Sequence, residues 1–138
     1  MNEMAESEQH KQLVDQIISE VIKVVEPENH CFVCSDKIDG FALTPSMNEG
    51  FRPDVYYQYE DTLIIGEAKT SEDIERIHSY AQYESYIKKC SLFQGNALFI
   101  IAVPWIDHAV ANNIIKRINK KYPGDYKIKI LDGIGGAI

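Results

Sequence analysis

Two runs rich in Val, Tyr, Ile and Thr, residues 54–59 and 62–69, are separated only by the polar pair Glu60-Asp61, a pattern that predicts one β-hairpin. With Tyr59 and Thr62 closing the turn, paired residues have numbers summing to 121, so Asp54 faces Glu67. Upstream, Leu13, Val14, Ile17, Ile18, Val21, Ile22, Val24 and Val25 spread over one broad helical face, which predicts a helix over residues 7–26 that Pro27 stops. Residues 30–35 suggest a short strand. Residues 36–52 mix Asp-Gly, Thr-Pro, Asn and Gly as a turn and a long connection, within which 40–43 can add a strand.

After the hairpin, Thr70 or Ser71 can cap a second helix that reaches about Lys89. On its wheel Ile74, Ile77, Tyr80, Ala81 and Ile87 supply a packing surface, and His78, Gln82, Tyr86 and Lys89 form a polar stripe. Residues 97–103, ALFIIAV, are a continuous apolar run between Gly95-Asn96 and Pro104, as expected of a central strand covered on both faces. A helix over 107–121, ended before Pro123-Gly124, and an edge strand over 126–131 complete the order α-β-β-β-α-β-α-β. That order predicts the α/β class, with a mixed central sheet flanked by helices. Trp105 is expected between the layers, with base stacking as the lesser reading, and the glycine-rich tail 133–138 outside regular structure.

With 138 residues, 45% of them hydrophobic, the chain suits a single domain spanning 1–138 with one core. No apolar run approaches the ~20 residues of a membrane span, and the polar, acidic start is unlike a signal peptide, so the expectation is a cytoplasmic protein without a membrane partner. Cys31, Cys34 and Cys90 do not make a disulfide framework. Cys31-Phe-Val-Cys34 lacks a second cysteine pair, so buried strand thiols are expected rather than a zinc site. The net charge of −7 argues against a protein that coats DNA, but the charge is uneven. Residues 1–30 carry seven acids against two lysines, whereas Lys116, Arg117, Lys120, Lys121, Lys127 and Lys129 face a single acid, Asp125. That basic run can meet phosphates or simply be a solvated face.

The hairpin carries the candidate chemistry. Facing Cβ atoms lie roughly 4.5–5.5 Å apart, so one cation can touch both Asp54 and Glu67. Side chains alternate along a strand, which returns Lys69 to the same face and sends Ala68 to the other. Opposed carboxylates repel unless a proton or cation lies between them, and oxygen donors without thiolate or imidazole favour Mg²⁺ or Mn²⁺ over Zn²⁺. Lys69 can then activate a water or stabilise charge at phosphorus.

Pro53-Asp54 followed after thirteen residues by Glu67-Ala68-Lys69 resembles the PD-(D/E)xK nuclease signature. Gln82 and Tyr86, one turn apart on one helical stripe, resemble the QxxxY element that follows ExK in RecB-like and lambda-exonuclease-like nucleases. The resemblance implies a restriction-endonuclease-like core and a Mg²⁺- or Mn²⁺-dependent nuclease acting on DNA. In it Asp54, Glu67 and the Ala68 carbonyl hold the metal, Lys69 works on the attacking water, and Gln82 and Tyr86 position the water or the adjacent phosphate. It also offers Glu20, at the edge of the first helix's apolar face, as a further metal ligand, against the plain reading of a solvated acid. Holliday-junction resolvases are similar in length and motif order but more basic and without QxxxY, so the resemblance is closer to RecB-like or virus-type replication-repair nucleases, in DNA repair, recombination or phage and mobile-element defence. A different class is also open: a non-catalytic module of the same fold that docks on a larger nucleic-acid-processing protein or on a second copy of itself.

Overall fold

The computed structural model describes residues 3–133, with side chains from Glu8 onward, so the expectation for the tail after Gly133 lies outside the described residues. The elements are α1 (Glu3–Val24), β1 (Val55–Tyr59), β2 (Thr62–Ala68), α2 (Ile77–Leu92), β3 (Asn96–Ala102), α3 (His108–Lys121) and β4 (Lys127–Leu131), with short 3₁₀ turns at Pro27–Phe32 and Trp105–Asp107. They form a mixed α/β fold: a four-stranded sheet in the order β1-β2-β3-β4, flanked by helices.

β1 and β2 pair from Val55↔Gly66 to Tyr59↔Thr62, so partner numbers do sum to 121. Glu60 turns the chain with φ of 53°. β2 runs parallel to β3 and β3 parallel to β4, each crossover being made by a helix. The pleat then divides two apolar clusters. Leu63, Ile65, Phe99 and Ile101 meet α2 and α3 on one face, whereas Ile64, Ala68, Ile100 and Ala102 meet α1 on the other. Among the described residues no helix is long and apolar enough to cross a membrane.

α1 approaches β2 closely at Gly66, where an added Cβ would stand 2.5 Å from Ile17 Cγ2 and 3.3 Å from Val55 Cβ. Gly66→Ala must therefore push α1 off the strand that carries Glu67. It should lower stability by about 1–3 kcal/mol, readable as a lower urea midpoint with an unchanged slope.

Several sequence expectations are corrected. Residues 30–35 are not a strand: Pro27 opens a 3₁₀ turn, and the His30 imidazole lies 3.1 Å from the carbonyl of Ile22, in the last turn of α1, and 3.0 Å from that of Val25, just past its end. Satisfying that helix end holds the turn in place, leaving only Cys34 to bridge to Tyr56. Residues 40–43 are not a strand either, although the Leu43 carbonyl accepts a 3.0 Å hydrogen bond from the Ser35 amide, so the order has one strand fewer than expected. Consequently the cysteines are not buried strand residues: Cys31 is exposed, Cys34 half-buried, and Cys90 buried but on α2. Trp105 is not packed between layers, being 44% exposed in its short turn.

α2 begins at Ile77 rather than after Thr70 or Ser71, which lie in a series of turns. Its inward face is Ser79, Gln82, Tyr83, Tyr86, Ile87 and Cys90, spaced by three and four residues. Ile77 is 89% exposed and Ala81 is also outside. Only half of the polar stripe is buried: Gln82 and Tyr86 turn inward, because the ring of Tyr86 fills the cluster and Lys69 gives Gln82 a polar partner, whereas His78 is exposed and Lys89 half-buried.

Candidate active site

The site forms where β2 ends. Glu67 is its last residue on the face that carries Leu63 and Ile65, and Lys69 is fixed just beyond the strand by its amide, which donates to the Ala102 carbonyl at 3.0 Å. Asp54 immediately precedes β1 and stays opposite: its Oδ2 accepts the Ala68 amide at 2.9 Å. Asp54, Glu67, Lys69, Gln82 and Tyr86 are all buried. The Lys69 ammonium lies 3.3 Å from Glu67 Oε2 and donates to the Gln82 side-chain carbonyl. Five of the residues singled out from the sequence are thereby brought together, and the Ala68 side chain turns into the α1 cluster as expected.

Two neighbours carried no signal in the sequence. Lys37 reaches Asp54 Oδ1 at 2.9 Å, and the His10 Nε2 stands 3.3 Å from Oδ2. The Ser35 hydroxyl donates to the Asp54 main-chain carbonyl at 2.8 Å. His10 is separated from Asp54 by most of α1 and the long connection, and Lys37 sits in a loop without regular structure, so neither belongs to a motif of fixed spacing.

These surroundings split the two carboxylates. Burial pushes the Glu67 carboxyl up to about 8, the Asp54 charge adds to the rise, and Lys69 opposes it. Burial would also raise Asp54, but the contacts with His10 and Lys37 outweigh it and hold that carboxyl below its usual range. Near neutral pH the pair therefore holds one proton, on Glu67, where a divalent cation could take its place. The Tyr86 phenol is raised by burial and by the charge of Glu67, and so remains a neutral donor.

Glu67 Oε1 and the Tyr86 hydroxyl are both buried without a hydrogen-bond partner among the described residues. Such atoms are costly unless something else engages them. No group of three or more His, Cys, Asp or Glu side chains forms a ready ion cage among the described residues. Mg²⁺ needs no such cage, since it binds through one or two carboxylates and keeps several waters. An unpartnered carboxylate oxygen on Glu67 opposite Asp54 thus fits Mg²⁺ or Mn²⁺, and the cysteines lie elsewhere.

Other candidates are not drawn to this centre. Glu20 pairs with Lys129 of β4, and on α1 it lies ten residues, or about 15 Å, from His10, the residue of that helix that does reach Asp54. α3 starts beside the carboxyl end of β3 and runs away from it, so exposed Lys116, Arg117 and Lys120 lie ~12–18 Å along the helix, and Lys121 is 3.5 Å from Glu84. His78 is exposed and packs edge-on against Phe51 at 5.3 Å. Comparison with protein-family models, with curated proteins and with solved structures finds no match for the chain, so the case for its chemistry rests on these side chains.

Proposed function

We propose that the protein is a metal-dependent nuclease of the PD-(D/E)xK type with a restriction-endonuclease-like core, hydrolysing phosphodiester bonds in DNA. The observation that carries this reading is the convergence of Asp54, Glu67, Lys69 and Gln82 at the end of β2, with Glu67 Oε1 left unpartnered in a buried position. Asp54, Glu67 and the Ala68 carbonyl would hold Mg²⁺ or Mn²⁺, which when bound supplies a Lewis acid for the phosphoryl oxygen and lowers the pKa of a coordinated water. Lys69, anchored between Glu67 and Gln82, keeps an ammonium beside the carboxylates, where it can orient the attacking water or offset negative charge developing at phosphorus. Gln82 holds that ammonium in position. Tyr86 adds a neutral hydroxyl from the next helical turn.

The test is a Mn²⁺-dependent cleavage assay on linear, circular, single-stranded and branched DNA. Wild type should cut at least one form, while Lys69→Ala should lose activity on the order of 10²-fold or more. Retention of full activity by Lys69→Ala would remove the reading. A second reading, a non-catalytic docking module, is favoured by one observation: both oxygens of Asp54 are already engaged by protein groups. It is distinguished by an absence of Mn²⁺ binding.

A further inference from the structure

Each buried carboxylate has its own lysine, Lys69 on Glu67 at 3.3 Å and Lys37 on Asp54 at 2.9 Å. The two lysines differ in freedom. Lys69 is 8% exposed, donates to Gln82, and has its main chain anchored to β3, so its ammonium is enclosed beside Glu67. The Lys37 side chain is 38% exposed and sits in a loop, on a flexible four-carbon stem. It has a second acceptor close by, Asp36 Oδ1 at 3.6 Å, and Asp36 also meets Arg52 at 3.5 Å. A cation bound between Asp54 and Glu67 would stand close to the Lys37 ammonium, and two positive charges so near each other at a partly buried site repel unless one moves.

We infer that Lys37 is the resident counter-cation of Asp54, that it yields its carboxylate oxygen when the divalent metal arrives, and that from its exposed position it then holds a phosphate of the substrate backbone. This rests on the nuclease reading and adds to it a positioning residue. Lys37 keeps Asp54 charged and oriented in the metal-free protein, so the acidic site is formed before metal binds. The arrangement also accounts for a buried Asp54 with both oxygens engaged in a protein that uses this residue as a ligand.

The experiment titrates Mn²⁺ alone into the metal-free full chain and its Lys37→Met, Lys37→Gln and Lys37→Arg variants, following free Mn²⁺ by electron paramagnetic resonance. Removing the competing ammonium should tighten Kd by on the order of tenfold in Lys37→Met and Lys37→Gln, whereas Lys37→Arg should stay near wild type. A side chain with a merely structural role would weaken binding or leave it unchanged when lost, and that result in both neutral variants would overturn the inference while wild-type binding left the nuclease reading intact. If wild type and variants alike fail to bind Mn²⁺, both fall. In cleavage assays Lys37→Met should raise KM several-fold with kcat little changed, and an unchanged KM would overturn the phosphate contact.

Discussion

In metal-free buffer above about pH 8, Glu67→Gln should melt on the order of 10 °C higher than wild type, and the gain should shrink to nothing as the pH falls towards 4.5. The sign follows from where the proton sits. The Glu67 carboxyl is raised from 4.5 to about 8 in the folded chain by burial and by Asp54. Below 4.5 folded and unfolded chains are both protonated and nothing is lost. Between the two values only the unfolded chain gives up its proton, so native stability declines with rising pH by up to about 1.4 kcal/mol per unit, and above about 8 the loss is complete. Glutamine keeps the shape and never ionises. On the proposed nuclease reading the same substitution should abolish Mn²⁺-dependent cleavage, because it replaces the unpartnered carboxylate oxygen that would meet the metal. A variant that melts below wild type across the whole range would instead make Glu67 a structural partner of Lys69.

Gln82→Ala and Tyr86→Phe should separate turnover from stability. Gln82 accepts from Lys69, so its loss lets the ammonium drift, and a misplacement of about 1 Å can cost on the order of 10²-fold in kcat with little change in KM. Tyr86→Phe removes a buried hydroxyl that has no partner among the described residues, which should leave the metal-free melting temperature equal or slightly higher while kcat falls. Steady-state kinetics at saturating Mn²⁺ alongside thermal melts decide the matter. Wild-type kcat in both variants would strip the helix of any part in the chemistry and leave Asp54, Glu67 and Lys69 as the whole site.

The parts of this site legible in the sequence are those held at short range. Asp54, Glu67 and Lys69 belong to one hairpin whose two-residue turn fixes the register, so counting residues is enough to oppose them. Gln82 and Tyr86 share a face because a helix repeats every 3.6 residues, but periodicity alone does not say that this face is the buried one. Apolar character alone puts Ile77 and Ala81 on the packing surface, yet both are exposed, because the ammonium of Lys69 and the apolar cluster draw the Gln82–Tyr86 face inward. His10 and Lys37 were invisible because their contacts with Asp54 depend on how α1 and an irregular loop settle against the sheet. The strand expected at 30–35 failed for a related reason: the helix end next to it needed its carbonyls satisfied, and His30 supplied that from a turn.

β2 is hydrogen-bonded along both edges and covered on both faces, whereas Lys37 lies in a stretch with neither helix nor strand. Opening β2 therefore costs close to the whole free energy of folding, while opening the Lys37 stretch costs a small part of it. The proposed reacting groups and the proposed guard on Asp54 thus sit at opposite ends of the molecule's ladder of local stabilities. Gentle warming or sub-denaturing urea should loosen the guard while Glu67 and Lys69 remain locked, so such conditions act first on who enters the site and only later on what the site can do.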